Sequence, residues 1–342
     1  MQENVPLALY TTLRIGGPAR YFCEVTTEDA LLQAVQFARE RQLAIFVLGG
    51  GSNLVVADGG FDGLVLHIAI TAPDVSFGSE FHVASGIDWD FFVRRICELE
   101  ISGIECLAGI PGSVGGTPVQ NVGAYGQEVA ETIQTVHALD LQTLTFITLS
   151  HDECHFAYRS SIFNTTHRNR YIVTAVDFQF DLNAKPNLTY ADLTRHFANS
   201  TTPPTPLDVY HAVREIRHRK GMLLVEGEQD CRSAGSFFKN PVVPAATLTR
   251  VAAELSIDPA AIPHWPAVDG LVKLPAAWLL ERAGFHKGFA LGEAGISSRH
   301  TLALINRGHA TAADIFRLRD AILLEVKSRF GIDLDQEPVQ LG

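Results

Sequence analysis

Charge is scarce in this chain: Asp, Glu, Lys and Arg make up 19% of its 342 residues, against 46% hydrophobic. The charge present leans negative, with 27 basic and 38 acidic side chains and a formal net charge of −11. Such a field disfavours nucleic acid, whose phosphates need a basic footprint. No apolar run approaches the roughly 20 residues that a membrane-spanning helix requires, so no membrane attachment is expected. The opening Met1-Gln-Glu-Asn-Val-Pro6 has neither a basic n-region nor an apolar h-region. The protein is therefore expected in the cytoplasm rather than secreted.

Cysteine is thin as well. Cys23, Cys97, Cys106, Cys154 and Cys231 are odd in number and no pair has CxxC spacing, which argues against a disulfide framework and a structural zinc. They are expected as buried, reduced thiols. His151-Asp-Glu-Cys154-His155 looks like a metal cluster only locally, because no second ligand group stands at a matching spacing. No metal is expected. No GxGxxG opens a helix and no GxxxxGKS/T occurs, which disfavours a standard dinucleotide fold and a P-loop. Internal repeats and low-complexity tracts are missing too, and the length allows two or three domains.

Against these absences, Ser233-Ala-Gly-Ser-Phe-Phe-Lys-Asn-Pro241 stands out. The Phe pair can bury the segment, while Ala234 and Gly235 let a ligand approach the backbone. Lys239 and Asn240 must reach water or find partners. A core strand does not normally combine these features, so the segment reads as a ligand-contacting strand or turn with Ser236 presented for chemistry. Alone it would pass for a Gly-containing bend with an incidental Ser.

Elsewhere helix and strand signals alternate. Thr27 caps a helix in which Leu31, Ala34, Val35 and Ala38 repeat at helical spacing. A short apolar strand, Ala44-Ile-Phe-Val-Leu48, follows and ends in glycines. Strand-like runs appear at 81–84, 136–139 and 171–180, with a Phe- and Ile-rich helix near 89–99. Residues 183–208, with four prolines and many Ser and Thr, read as a linker or surface excursion. A terminal helix starts at Thr311, carries the stripe Ile315, Leu318, Ile322, Val326 and Phe330, and stops at Gly331.

Two glycine-rich loops lie in the first half, Gly49-Gly-Gly-Ser-Asn53 and Ile110-Pro-Gly-Ser-Val-Gly-Gly-Thr-Pro118, the latter followed by Val119-Gln-Asn-Val-Gly-Ala-Tyr-Gly126. Tight glycine turns expose successive N–H groups as an anion-binding nest. Two of them suit a ligand with a pyrophosphate and further polar parts, such as a dinucleotide, although a plain turn accounts for either loop alone. The basic run Arg214, Arg217, His218, Arg219 and Lys220 reads either as one solvated helix face or as a counter-charge for an anionic ligand.

Taken in order, the segments Gly49–Asn53, Ile110–Gly115, Pro118–Gly126, Tyr158-Arg-Ser-Ser-Ile-Phe163, Ala234–Pro241 and Leu334-Asp-Gln-Glu-Pro-Val339 resemble the UDP-N-acetylenolpyruvoylglucosamine reductase (MurB) family. The resemblance spans nearly the whole chain. It implies an α+β protein: a FAD-binding domain of the vanillyl-alcohol-oxidase (PCMH) type in two lobes, plus a C-terminal α+β substrate-binding domain. The implied divisions are 1–70 for the first lobe, 71–206 for the second with a substrate-covering loop at 183–206, and 207–342 for the substrate domain. The loop is expected from Leu188-Thr-Tyr-Ala-Asp-Leu193, which looks like the Tyr-bearing loop of the longer subtype.

The implied activity is NADPH-dependent reduction, through FAD, of the enolpyruvyl ether of a UDP-sugar in peptidoglycan precursor synthesis, by a monomer. The resemblance assigns catalysis to Ser236 as proton donor, Arg159 as electrophilic group and Glu337 as its acidic partner. It assigns flavin contacts to Gly49, Gly50, Gly51, Ser52, Asn53, Ile110, Pro111, Gly112, Ser113, Gly115, Gly116, Gln120, Asn121 and Gly123. Tyr125, Tyr158, Tyr190, Lys220 and Asn240 fall where the family contacts substrate. Three departures stand out. Extra residues lie between 221 and 231, Pro338 replaces a more usual aliphatic residue, and Gly116 stands where relatives often have a hydroxyl.

This chemistry is physically coherent. Hydride addition to a double bond conjugated with a carboxylate builds negative charge on that carboxylate, and a preorganised guanidinium is a natural stabiliser. Glu337 beside such a charge makes sense when its carboxyl is protonated or shares a proton. With no second dinucleotide fingerprint, NADPH and the UDP-sugar are expected to share one cleft in turn. Gly51-Ser52-Asn53 offers no His or Cys for covalent attachment, so the flavin is expected to be held non-covalently. Two alternatives remain open at this point: another FAD oxidoreductase on the same scaffold, and a non-catalytic nucleotide-sugar sensor.

Overall fold

The computed structural model describes residues 1–72 and 75–342. The chain divides into two compact units, one of residues 1–5, 19–51 and 62–219, the other of residues 6–18, 52–61 and 220–342.

In the first unit, a four-stranded sheet runs in the order Gln2–Pro6, Pro18–Val25, Phe61–Ile68, Ala44–Leu48. Its last two strands pair in parallel, which requires a crossover. Helix Glu28–Glu40 lies between Pro18–Val25 and Ala44–Leu48 in sequence. Thr27 accepts from the Ala30 amide at 3.1 Å, and Leu31, Ala34, Val35 and Ala38 are buried.

A five-stranded antiparallel sheet follows, in the order Thr145–Ser150, Ile133–Asp140, Tyr171–Gln179, Glu80–Ala84, Val75–Phe77. Phe81, Val83, Val136, Val176 and Phe178 share a core with Trp89, Phe92 and Ile96 of helix Trp89–Glu98 and Val209, Val213 and Ile216 of helix Pro206–Arg219. Phe92 and Phe178 pack with ring centroids 4.9 Å apart. On the opposite face, Ala84, Leu139 and Ile172 join the core around helix Glu28–Glu40. The proline-rich stretch, read as a linker or surface excursion, runs mostly exposed but is pinned. It contains the helix Ala191–His196, whose Leu193 is fully buried, and Pro206 starts the next helix.

The second unit is built around helix Ala312–Phe330. Thr311 and Asp314 form a reciprocal capping box, the predicted stripe is buried, and Gly331 ends the helix at φ 69°. Asp58 accepts from the amides of Ala312 (2.8 Å) and Ala313 (3.0 Å), placing a carboxylate on the positive end of the helix. Three short sheets surround it, one of them the parallel pair Leu54–Val56 and Val339–Leu341. All five cysteines are free. Cys97, Cys106 and Cys154 are buried as expected, but Cys23 and Cys231 are partly exposed, because Cys23 lies off the buried positions of its strand.

Candidate functional site

The strand Ala44–Leu48 delivers the chain into Gly49, Gly50 and Gly51, the last at φ 61°. A Cβ on Gly50 would lie 2.6 Å from Gly112 Cα, and one on Gly49 would lie 2.9 Å from Ser113 Oγ. The two glycine loops therefore meet backbone to backbone, an approach open only to residues without side chains. The second loop is zipped against the entry to helix Trp89–Glu98: Trp89 N donates to Gly112 O, Val114 N to Ile87 O and Gly115 N to Ser85 O, at 2.9–3.1 Å. Gly116 faces open space. Peptide walls, the Ser113 hydroxyl and room beside Gly116 fit a pyrophosphate-bearing cofactor.

The loop's approach is fixed by residues that motif reading passed over. Asp90 accepts from Gly109 N at 2.5 Å and pairs with Arg214, and Tyr210 donates to the same carboxylate at 3.2 Å. Arg217 is only 7% exposed and donates through Nε to Gly109 O at 3.2 Å. Burial pulls its guanidinium below the ordinary arginine value, with Tyr125 and Asp90 opposing. The basic run is thus not one solvated face. Arg214 and Arg217 turn inward onto the start of the second loop, while Arg219 reaches Glu215 at the surface. The available signal was the spacing of Val213 and Ile216, which makes Arg217 a neighbour of the apolar stripe.

Asn121, at φ 43° and buried, donates to Glu128 Oε2 (2.7 Å) and to Ala157 O (3.1 Å), and accepts from Ala130 N (3.1 Å). Its side chain braces the loop. Gly123 O accepts from Arg159 Nη2 at 2.8 Å, so the end of the predicted flavin loop directly holds the predicted electrophile. Arg159 sits at φ 54° in a tight turn closed by Ala157 and Ser160. Its carbonyl accepts from Asn164 Nδ2 at 3.1 Å. A long side chain at positive φ is uncommon, and such strain collects at functional sites. Tyr158, beside it, is exposed. Tyr125 and Tyr190 meet edge to face with centroids 5.1 Å apart. Burial pushes the Tyr125 phenol up to about 12, against the pull of the Arg217 charge.

In the second unit the Ser236 segment is one rung of a short ladder. Gly235 turns at φ 73°, Phe237 and Phe238 are buried, and Ser236 is half-buried. Phe237 N donates to Leu302 O (2.8 Å), Glu337 N to Phe237 O (2.9 Å) and Lys239 N to Asp335 O (2.9 Å). Antiparallel pairing of Phe238 with Gln336 sets the register, so Ser236 and Glu337 stand on adjoining strips. Two residues on, Val339 N donates to Asn53 O at 2.9 Å. The end of the first glycine loop, the Glu337 segment and the Ser236 segment are therefore stitched together within one unit. Pro338 fits this geometry: it is buried and immediately precedes strand Val339–Leu341, where its missing N–H breaks no rung.

Lys220 is half-buried beside Gly221, whose φ of 65° places it against Ser297 and Arg299. The extra residues after it are anchored by Asp230, which accepts from Ser298 N (3.0 Å), Ser298 Oγ (2.7 Å) and Arg299 Nε (2.9 Å). Burial pushes this carboxyl up, and those bonds outweigh burial and lower it. Asn240 Oδ1 accepts from Ala276 N at 2.9 Å, at the start of helix Ala276–Arg282. A cavity of about 420 Å³ in this unit is lined by Glu228, Asp230, Phe289, Arg299 and Arg307, and none of the predicted site residues lines it.

Comparison with known proteins gives the family. Residues 19–145 match the model of a FAD binding domain, and residues 227–341 match the C-terminal domain of UDP-N-acetylenolpyruvoylglucosamine reductase. The reductase of that name from Thermobifida fusca is 46% identical over 99% of this chain and 98% of its own length. The chain belongs to the UDP-N-acetylenolpyruvoylglucosamine reductase family. The Streptomyces coelicolor reductase is 42% identical over 99% of this chain and 90% of its own. The crystal structure of MurB from Thermus caldophilus superposes with a TM-score of 0.67 at 25% identity, over 99% of this chain and 98% of that one. Like its family, the protein is a flavin-dependent oxidoreductase with the α+β fold expected from its motifs. No helix among the described residues is long and apolar enough to cross a membrane.

Proposed function

We propose that the protein reduces the enolpyruvyl ether of UDP-N-acetylglucosamine-enolpyruvate to UDP-N-acetylmuramate, with NADPH as the electron source, in the cytoplasm and as a monomer. Residues 1–70 and 71–206 serve the flavin, and 207–342 serve the UDP-sugar. When bound, FAD supplies the two-electron carrier between NADPH and substrate. Peptide groups of Gly49–Gly51, Gly112, Ser113, Gly115, Gly116 and Gly123, with the side chains of Ser52, Asn53, Ser113, Gln120 and Asn121, would hold that cofactor, and Ile110 and Pro111 would wall it.

Arg159 holds the substrate carboxylate and stabilises the charge that develops on it. Its own side chain is steadied by the Gly123 carbonyl. The Ser236 hydroxyl delivers the proton to the adjacent substrate carbon, a role worth roughly 10²- to 10⁴-fold for a positioned acid. Glu337 shares a proton there. Tyr125, Tyr158, Tyr190, Lys220 and Asn240 orient the UDP-sugar. The observation that best supports this reading is the rung between Glu337 N and Phe237 O, which brings the strip carrying Ser236 against the strip carrying Glu337.

The test is spectroscopic. In anaerobic buffer, NADPH bleaches the flavin band of the purified protein, and adding the enolpyruvyl UDP-sugar restores it. Bleaching without recovery, or protein that carries no flavin, overturns the proposal.

A further inference from the structure

The five-stranded sheet carries a polar cluster that the chemistry above leaves unused. His82, Asp177 and His137 lie on the adjacent strands Glu80–Ala84, Tyr171–Gln179 and Ile133–Asp140, on the face opposite the Phe81–Phe178 core. Register places His82 and Thr135 on either side of Asp177. His82 Nδ1 is 2.6 Å from Asp177 Oδ1, and His137 Nε2 is 2.7 Å from Asp177 Oδ2. The two imidazole centroids are 5.0 Å apart. The side chains remain 25–32% exposed, so the cluster is open to solutes.

We propose that His82, His137 and Asp177 bind one divalent transition-metal ion of the zinc class, which ties three strands of the sheet together. One atom from each side chain lies within 4.8 Å of the other two. Zinc bound tetrahedrally at about 2.0–2.2 Å needs ligands roughly 3.3–3.5 Å apart. An ion replacing the shared protons would therefore spread the carboxylate–imidazole contacts by less than about 1 Å. Behind the ligands, Thr148 Oγ1 lies 3.1 Å from His137 Nδ1, leaving Nε2 to face the ion, and the Thr135 hydroxyl donates to Asp177. Such outer contacts fix a ligand's orientation. Two imidazoles among three ligands select zinc, copper or nickel over magnesium or calcium, which prefer oxygen. His82 and His137 are 95 and 40 positions from Asp177, beyond the reach of any sequence-spacing rule.

The test uses the FAD-loaded full chain, tag removed and chelator-stripped. Zn²⁺ is titrated at about pH 8, where ordinary imidazoles are neutral, against a chromophoric competitor. One equivalent is expected to bind at micromolar concentration and raise the melting temperature, with Mg²⁺ inert at the same concentration. His82→Gln and His137→Gln are each expected to weaken binding at least about 10-fold. Thr148→Val, which keeps all three ligands, is also expected to weaken it and serves if either histidine variant fails to fold. Binding that is equal in wild type and all variants, or no binding below about 1 mM, overturns the site.

Discussion

The two units present their chemistry by different means. In the first, backbone dominates: Gly49 and Gly50 press on Gly112 and Ser113, and even Arg159 is held by a glycine carbonyl. In the second, side chains dominate: a ladder of short strips lines up Ser236, Glu337 and Asn53 while Phe237 and Phe238 anchor it from below. A peptide-lined slot can hold a large cofactor through many weak contacts without any one side chain being decisive. A proton-transfer group has no such redundancy, because one hydroxyl must stand in one place. The glycine loops should therefore govern how much flavin is bound, and the ladder should govern what the bound flavin can do.

Ser236→Ala gives the sharpest test of that division. It should slow reoxidation of reduced flavin by the UDP-sugar by roughly 10²- to 10⁴-fold, while flavin content and reduction by NADPH, followed by stopped-flow absorbance, stay near wild type. Equal damage to both half-reactions would break the comparison. Gly50→Ala should do the reverse. Its new methyl would meet the Gly112 backbone at 2.6 Å, and forcing the loops apart should cost about 1–3 kcal/mol, roughly 5- to 150-fold in FAD affinity. Gly116→Ala, which meets nothing within 4 Å, is its control and should leave affinity near wild type. Equal FAD retention in both would sink the backbone-slot account.

A smaller effect separates the first unit's stability from its chemistry. Arg170 Nη2 lies 2.7 Å from Asp140 Oδ2, and the Arg170 hydrogen bond is the main reason that carboxyl sits below its usual value. A lowered carboxylate stabilises the fold above its unfolded value of about 3.9 and loses that contribution as the folded group is protonated. Arg170→Gln should therefore destabilise the fold at neutral pH, with the deficit shrinking as pH falls below about 4. Urea unfolding at pH 7 and pH 3 reads this directly, and a pH-independent deficit would assign the loss to packing.

Much of the fold was legible because its signals are local. Thr27, Thr311 and Gly331 cap helices through contacts within one turn, and the apolar stripe of the terminal helix follows a fixed period. Of the candidate site, the glycine loops and the Ser236 segment were visible because they occur together in one chain, whereas a plain turn accounts for any one of them alone. For Arg217 the sequence leaves a solvated face and a counter-charge for an anion both open, because its helix gives no sign of the Gly109 carbonyl that it bonds. The polar cluster at Asp177 was invisible for the same reason.

By itself, the sequence determined the capped helices, several strands and the tight glycine turns and supplied the reactive side chains, since those properties depend on neighbours a few residues away. Only the tertiary structure decided that Gly50 rests on Gly112, that Glu337 pairs with the Phe237 strip, and that two histidines share one carboxylate. Strand register and loop contact join positions tens to hundreds of residues apart, and no local pattern encodes which of those distant positions will face each other.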